Sequence, residues 1–239
     1  MPGYRTKDQT VAVSGVADLC IRSLFDKQQF ADPLGQAASL GISSAAWPLF
    51  GLLWPSGAHL AARLVRRPVQ AGEHILELGC GLGLASLVGH RRGADVTASD
   101  CHPLAGVFLQ DNLRLNGLLP MKYRHGQWGV VTVAAAPPAL PAVVALADPV
   151  SGRFELIIGS DLLYERDAQG HLAQYIQQHA TAVAEVWIVD PDRGNRPAFN
   201  RQMALLGFVL QEHKLNTAPM PRDAGLPGYK GRLLQYLRH

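Results

Sequence analysis

The sequence predicts one α/β domain in which helices cover both faces of a mostly parallel sheet. From residue 74 onward, short apolar runs alternate with helical patterns, which is typical of repeated strand–helix–strand units. A turn with three glycines joins the first of these runs to the first helix. The chain has 239 residues, 48% of them hydrophobic, which suffices for one such core with additions.

Each predicted strand is a short apolar run bounded by a turn or by a helical pattern. In chain order the strands are 74–78, 95–99, 122–125, 154–159, 185–190, 208–213 and 233–237. The helices between them are 84–92, 103–116, 168–179 and 196–206. The second helix has Pro103 at its start and Gly117 just past its end, where these residue types are favoured.

Residues 1–73 are predicted to be an N-terminal extension, partly helical, that covers the sheet domain of residues 74–239. A helix of this extension is expected to begin near Ala58. The Ala- and Pro-rich segment 130–151 is predicted to be an insertion or surface loop with at most a short helix. A second segment rich in Gly and Pro, 218–231, separates the last two strands.

Composition and charge exclude several classes of protein. The three cysteines lack a CxxC pair and cannot form a complete disulfide framework, so a reducing, cytoplasmic compartment is expected. No apolar signal segment is visible at the start, and the longest apolar stretch is far short of the roughly 20 residues that span a bilayer. The net charge of +3 is spread along the chain, so neither nucleic acid nor membrane is an expected partner. The histidines lack metal-ligand spacing, so no metal site is expected.

The glycine turn and an acidic residue together predict a nucleoside site. Gly79, Gly81 and Gly83 alternate in the turn, and Asp100 ends the next strand, where its carboxylate can accept hydrogen bonds from both ribose hydroxyls. No Gly-Lys-Ser/Thr follows the turn, which excludes a Walker phosphate loop, and Ala85 stands one place late for the dinucleotide pattern. Glu77 precedes the turn and favours an ammonium over a pyrophosphate. The predicted ligand is a nucleoside that carries an amino acid.

This ExGxGxG turn, with an acid closing the second strand, resembles the class I S-adenosylmethionine-dependent methyltransferases over about residues 45–210. The resemblance implies a Rossmann-like sheet of seven strands, mostly parallel, with the last strand antiparallel. It implies S-adenosylmethionine as the cofactor. Glu77 and Gly79 would face its methionine end, Gly81 would allow its close approach, Gly83 would also belong to the cofactor site and Asp100 would hold the ribose.

Four further motifs resemble the seven-strand protein lysine methyltransferases that carry a D/E-x-x-Y signature. They are Trp-Pro-Ser-Gly at 54–57, HPLAGV…NLRLNG across 102–117, Asp-Leu-Leu-Tyr at 161–164 and Asp-Pro-Asp-Arg at 190–193. This combination is most similar to the electron-transfer-flavoprotein β-subunit lysine methyltransferases and their bacterial relatives. The resemblance implies a protein substrate, with that β subunit as a candidate. It also implies that Trp54, Ser160 and Trp128 contact the cofactor, with Trp128 stacked on the adenine.

The resemblance implies that the methyl acceptor sits after the fourth strand, where Asp161 and Tyr164 lie. The Asn/Asp-Pro-Pro-Tyr sequence typical of enzymes that methylate the exocyclic amines of bases, or glutamine, is absent there, which argues against a base amino group. The D/E-x-x-Y resemblance implies a lysine ε-amine instead. Tyr164 would orient the amine, and Asp161 would accept its hydrogen bond or cap a helix. Asp190 and Arg193 are predicted to lie behind these residues or to face the substrate.

Three alternatives remain open at this stage. A small-molecule N-methyltransferase would enclose its acceptor under an N-terminal lid, and residues 1–45 could form one. A non-catalytic cofactor-binding protein would recognise another protein without modifying it. An NAD-dependent oxidoreductase is the most distant alternative.

Overall fold

The computed structural model describes residues 3–129, 147–216 and 228–239. The strands are β1 (Thr6–Val11), β2 (Leu19–Leu24), β3 (His74–Leu78), β4 (Asp95–Asp100), β5 (Lys122–His125), β6 (Phe154–Ser160), β7 (Ala180–Asp190), β8 (Val209–Asn216) and β9 (Lys230–Arg238). The helices are α1 (Gln36–Ser39), α2 (Pro55–Val65), α3 (Leu84–Arg91), α4 (Ala105–Leu115), α5 (His171–His179) and α6 (Arg196–Leu205), with a 3-10 helix at Trp47–Gly51. None of the described helices is long and apolar enough to cross a membrane.

Seven strands form one sheet in the order β5-β4-β3-β6-β7-β9-β8. The five strands from β5 to β7 pair in parallel, and β9 runs antiparallel to both of its neighbours. The chain order therefore reverses between β3 and β6, and ligands of open α/β sheets bind at such a switch point. The predicted seven-strand sheet with an antiparallel last strand is confirmed.

Two apolar clusters cover the two faces of this sheet. One contains buried side chains of β2, the 3-10 helix, α2, α3 and α4, and the other contains those of α5 and α6. The central strands are buried on both faces, which explains why their sequences are continuous apolar runs. Trp187 of β7 is buried, in agreement with its expected place in the core.

The N-terminal extension contains a β-hairpin that the sequence did not predict. Its strands β1 and β2 pair antiparallel, and side-chain amides of α4 hold the free edge of β2. Asn116 Oδ1 accepts from the Cys20 N–H at 2.9 Å while its Nδ2 donates to the Cys20 carbonyl at 2.7 Å, and Asn112 Oδ1 accepts from the Arg22 N–H at 2.7 Å. The two asparagines of NLRLNG thus replace a neighbouring strand and fasten the hairpin to the domain.

Other differences from the predicted elements are small. Helix α2 starts at Pro55 rather than near Ala58, because proline is well suited to the first helical position. Strand β7 starts five residues earlier than predicted, at Ala180, where the sequence is too poor in large apolar residues to signal a strand. Most of the predicted loops 130–151 and 218–231 lies outside the described residues. The division of the chain at residue 73 stays a prediction, since α2 also packs on the sheet strands.

Candidate active site

A cavity of about 620 Å³ lies at the carboxyl ends of β3, β4 and β6, within the size range of small-molecule sites. Eleven of the twelve predicted site residues line it, and only Asp190 does not. Those eleven are Trp54, Glu77, Gly79, Gly81, Gly83, Asp100, Trp128, Ser160, Asp161, Tyr164 and Arg193. The cavity therefore joins the predicted cofactor residues to the predicted acceptor residues.

The glycine turn packs against neighbouring chain segments so closely that side chains are excluded. Gly81 has φ +52°, and a Cβ built there would lie 2.8 Å from the Phe50 carbonyl oxygen. Gly79 has φ +58°, and its Cβ would lie 2.7 Å from Leu162. A larger residue would both strain the backbone and displace these neighbours. The 3-10 helix, which contains Phe50, therefore packs directly against the glycine turn.

Asp100 is buried at the end of β4 with its carboxylate held by backbone donors. Its Oδ2 accepts from the Gly81 N–H at 2.9 Å and its Oδ1 from the His102 N–H at 2.8 Å. Burial raises the pKa of Asp100, and the His102 and Gly81 N–H groups oppose that rise. A carboxylate offers about four acceptor sites, so each oxygen keeps room for one more donor from a ligand.

Glu77 is the second buried carboxylate of this end. Its Oε2 accepts from the backbone N–H of Ser86 at 2.8 Å and from the Ser86 hydroxyl, in the first turn of α3. Burial raises the pKa of Glu77 to about 7, although the Ser86 hydrogen bonds oppose the rise. The group is therefore poised to change its charge near neutral pH.

Two aromatic residues that sequence reasoning overlooked complete this end of the cavity. His102 stacks on Phe50, with ring centroids 3.7 Å apart and planes 12° apart. Burial lowers the pKa of His102 to about 3, so the ring is neutral, and its Nδ1 accepts from the Leu104 N–H at 3.2 Å. The HPLAGV motif, which begins two residues after Asp100, pointed to His102. No nearby sequence feature pointed to Phe50 as its stacking partner.

The two predicted tryptophans both line the cavity. Trp54 precedes α2, is 37% exposed, and donates from Nε1 to the Leu49 carbonyl at 3.0 Å. Trp128 follows β5 and is partly buried, with its ring centroid 6.0 Å from that of Tyr175. Both side chains therefore contribute aromatic surface to the cavity.

Asp161 follows β6 in a left-handed backbone conformation, with φ +57°. Its N–H donates to the Val189 carbonyl at 2.9 Å, which ties it to the end of β7. Burial raises the pKa of its carboxyl, and the Ser56 hydroxyl and Arg193 oppose that rise. No helix starts at Asp161, and it is Asp167 that accepts the N–H hydrogen bonds at the start of α5, so the capping alternative is wrong.

Tyr164 lines the cavity and is half exposed. Partial burial raises the pKa of its hydroxyl to about 12. The group is therefore protonated at neutral pH and can both donate and accept a hydrogen bond. Its position gives the cavity an aromatic edge that solvent reaches.

Asp190 and Arg193 lie next to Asp161, with Asp190 fully buried beneath the cavity. Asp190 Oδ1 accepts from the Arg193 N–H at 2.9 Å, and Arg193 Nη1 lies 2.9 Å from Asp161 Oδ1. Ser56 and Tyr229 border the same cluster, with their hydroxyl oxygens 2.9 Å apart. Sequence reasoning gave Ser56 no role, although it stands within the Trp-Pro-Ser-Gly motif, and it missed Tyr229 because that residue is far away in the chain and no motif points to it.

The remaining reactive groups offer little chemistry. Cys80 and Cys101 line the cavity, but burial raises the pKa of both thiols, that of Cys101 to about 12, which disfavours the thiolate. Across the described ranges, no group of three or more His, Cys, Asp or Glu side chains is arranged to hold a metal ion.

Comparison with known proteins gives relatives of one kind. No family profile matches the sequence. The electron transfer flavoprotein beta subunit lysine methyltransferase of Mus musculus is 30% identical over 149 residues, which are 61% of this chain and 51% of the mouse protein. The Rattus norvegicus protein of the same name is 30% identical over 182 residues, 75% of this chain and 64% of the rat protein. The chain thus spans about half to two thirds of the length of these relatives.

Two methyltransferases of known structure share this fold. One from Pyrococcus furiosus has a TM-score of 0.53 and 16% identity, and covers 85% of this chain and 97% of its own. The magnesium protoporphyrin IX methyltransferase of Synechocystis, with bound S-adenosylmethionine, has a TM-score of 0.53, 15% identity and coverages of 77% and 78%. The chain is therefore related in sequence to the electron-transfer-flavoprotein β-subunit lysine methyltransferases and has the fold of the class I S-adenosylmethionine-dependent methyltransferases.

Proposed function

We propose that this protein transfers a methyl group from S-adenosylmethionine to the ε-amine of a lysine in a protein substrate. The observation that carries the proposal is the single cavity that brings Asp100 and the glycine turn together with Asp161 and Tyr164. The sequence relatives named as lysine methyltransferases support it. Their named substrate makes the β subunit of electron transfer flavoprotein the first candidate acceptor.

The residues present fit the cofactor. Asp100 keeps acceptor capacity for two ribose hydroxyls after its two backbone hydrogen bonds. Trp54 and Trp128 offer aromatic surfaces, while Glu77 and Ser160 supply polar groups for the amino-acid end. His102 is neutral, and the glycine turn carries no charged side chain beside the ribose. Neither therefore competes with the ribose hydroxyls for the Asp100 carboxylate. When bound, S-adenosylmethionine supplies a methyl group on positively charged sulfur.

The acceptor residues provide alignment and a suitable protonation state. A free lysine has a pKa of about 10.4, so its amine must lose a proton before it can attack. A partly desolvated cavity beside a positive sulfur lowers that pKa, and the proton leaves to water. Tyr164 remains a neutral hydroxyl and positions the amine without acting as a base. Alignment of this kind contributes about 7–11 kcal/mol to such reactions.

We propose that residues 1–73 cover the bound cofactor, because the 3-10 helix and Trp54 line the cavity. The free cysteines support a reducing compartment, which we propose is the cytoplasm. The scattered charge supports a protein acceptor rather than nucleic acid or membrane.

The experiment is transfer of radiolabelled methyl groups from S-adenosylmethionine into a lysate of the source organism, with a parallel reaction on its purified flavoprotein β subunit. We expect label in protein, in a band that mass spectrometry identifies. Tyr164→Phe should reduce incorporation, and the matched control Tyr175→Phe should not. Label found only in the small-molecule fraction would favour the small-molecule alternative, and its absence from both fractions would favour a non-catalytic binding protein.

A further inference from the structure

A cluster of buried charged groups lies at the acceptor end of the cavity and includes Asp161. The proposed reaction does not yet explain the role of every member of this cluster. Asp161, Asp190 and Arg193 come from the ends of β6 and β7 and the turn after β7. Ser56 of α2 and Tyr229 before β9 face them from the other packed elements. Two carboxylates oppose one guanidinium, so one negative charge is in excess when both carboxyls are ionised.

The three charged groups form a chain of contacts that ends at Asp161. Asp190 is buried and accepts a hydrogen bond from the Arg193 backbone N–H at 2.9 Å. This bond fixes the backbone position from which the Arg193 side chain extends. Arg193 Nη1 then lies 2.9 Å from Asp161 Oδ1. The left-handed backbone of Asp161 is unfavourable for a non-glycine residue, so the surrounding contacts must hold it in place.

The cluster also has unused hydrogen-bonding capacity. Asp161 Oδ2 and Asp190 Oδ2 are buried, and neither oxygen has a hydrogen-bond partner in the described part of the chain. An unpaired buried carboxylate oxygen is costly, so a bound water, ion or ligand group is needed to complete its hydrogen bonds. An ammonium group brings three N–H donors and one positive charge, which matches the excess charge of this cluster.

We propose that Arg193, anchored by Asp190, is a positioning residue that holds Asp161 with one carboxylate oxygen directed to the ammonium of the incoming lysine. This inference rests on the proposed function. Arg193 binds one oxygen of Asp161 and leaves the other for the substrate, so Asp161 keeps its negative charge and its orientation. Asp190, which does not line the cavity, acts through Arg193.

The test compares Arg193→Ala and Arg193→Lys with the control Arg196→Ala. Arg196 stands three residues further on and pairs with Asp192 and Glu212 rather than with Asp161. Methylation of the flavoprotein β subunit is measured as kcat and KM, with and without millimolar guanidinium ion. Binding of S-adenosylmethionine is measured by calorimetry on the same proteins, and folding is checked by thermal unfolding.

We expect Arg193→Ala to lower kcat/KM for the protein substrate about 100-fold, because a misplaced catalytic group costs about that much. The Kd for S-adenosylmethionine should change less than about threefold, and Arg196→Ala should change both constants no more than an exposed ion pair does, about fivefold. Added guanidinium should restore part of the activity of Arg193→Ala and should have no such effect on Arg196→Ala. Arg193→Lys should have an activity between those of wild type and Arg193→Ala. Unchanged kcat/KM in Arg193→Ala, or equal effects of guanidinium on both alanine variants, would overturn the proposal.

Crystal structures with S-adenosylhomocysteine give a readout that does not need an acceptor. In Arg193→Ala the Asp161 carboxylate should turn away from its wild-type position, whereas Arg196→Ala should leave it in place. An unmoved Asp161 in Arg193→Ala would refute the positioning role even if no substrate were methylated. Wild-type protein that methylates nothing would instead count against the proposed function.

Discussion

The two ends of the cavity are built in different ways. The carboxylates and glycines of the cofactor end come from one continuous stretch, residues 77–100, in which Glu77, the glycine turn and Asp100 belong to one strand–helix–strand unit. Aromatic side chains from other segments, Phe50, Trp54 and Trp128 among them, line the same cavity. The acceptor end takes Ser56, Asp161, Arg193 and Tyr229 from four separate segments. Local sequence therefore determines the first end, whereas the second exists only once the sheet has formed.

The carboxylates of the two ends also differ in how completely they are partnered. Both oxygens of Asp100 accept backbone N–H groups, and Glu77 is held by Ser86. At the acceptor end, Asp161 and Asp190 each keep one buried oxygen without a hydrogen bond among the residues described. The cofactor end is thus organised before binding, and the acceptor end depends on the substrate to complete its hydrogen bonds. If so, substitutions at the two ends should affect different constants.

The largest effect is expected for Asp100→Ala on cofactor affinity. The variant loses a charged acceptor for two hydroxyls and leaves the Gly81 and His102 N–H groups unpaired. With about 1.5–3 kcal/mol for each of two hydrogen bonds to a charged group, the Kd for S-adenosylmethionine should rise roughly 150- to 10,000-fold or more. Calorimetry measures this directly. A Kd that stays within a few-fold of wild type would show that the cofactor lies elsewhere.

The next largest effect is expected for Asp161→Asn on transfer. The substitution keeps the shape of the side chain but removes the charge that attracts the amine, so kcat/KM for the protein substrate should fall about 100-fold. The Kd for S-adenosylmethionine should stay near the wild-type value. If Asp161→Asn lost cofactor binding together with methyl transfer, the separation of the two ends would be contradicted.

A smaller, pH-dependent effect is expected from Glu77. Its pKa of about 7 lies above the ordinary value because burial disfavours the charged form. A cationic ligand nearby favours the ionised form, so binding of S-adenosylmethionine should release protons and strengthen as the pH rises from about 6 to 7.5. Calorimetry in buffers of different ionisation enthalpy measures the proton release. In Glu77→Gln both the release and the pH dependence should decrease, and their persistence would place the titrating group elsewhere.

The same pKa has a consequence for stability. Because the folded-state pKa of Glu77 is raised, its contribution to stability is fully present below the unfolded value near 4.5 and is lost as the pH rises through about 7. Glu77→Gln should therefore flatten the decline in stability of the ligand-free protein over that range. Urea unfolding at several pH values measures the difference, and an identical decline in the variant would contradict the assignment.

The smallest effect on either ligand is expected for Asn112→Ala. Asn112 is buried and holds the hairpin edge, and its Nδ2 also donates to the Leu82 carbonyl at 3.2 Å. Its loss leaves buried backbone groups unpaired, which should cost about 1–3 kcal/mol of stability. Thermal unfolding should show a lower Tm, with the control Gln110→Ala unchanged, while the Kd for S-adenosylmethionine changes little. An unaltered Tm would mean that α4 does not fasten the hairpin.

The comparison also explains which features the sequence could predict. The glycine turn, the place of Asp100 at a strand end and the succession of strands and helices along the chain follow from patterns within a few dozen residues, and β3, α3 and β4 lie where they were predicted. The hairpin was missed because β1 is polar and mostly exposed, so no alternation of apolar residues marks it. Its pairing with Asn112 and Asn116 joins residues about 90 positions apart.

At the site, the same limit applies to contacts across the fold. The motif Asp-Pro-Asp-Arg indicated Arg193 and Asp190 but not that one lines the cavity and the other lies beneath it. The ion pair of Arg193 with Asp161 depends on the parallel pairing of β6 with β7. Tyr229 follows a segment outside the described residues and carries no motif, so only the folded chain brings it to Ser56.

The most direct test of the central claim is site-resolved mass spectrometry of the flavoprotein β subunit after incubation with this protein and S-adenosylmethionine. The account predicts that lysine side chains gain methyl groups with wild-type protein, and that Asp100→Ala and Asp161→Asn each largely abolish the modification. Methylation confined to another residue type, or equal lysine methylation by both variants, would contradict it.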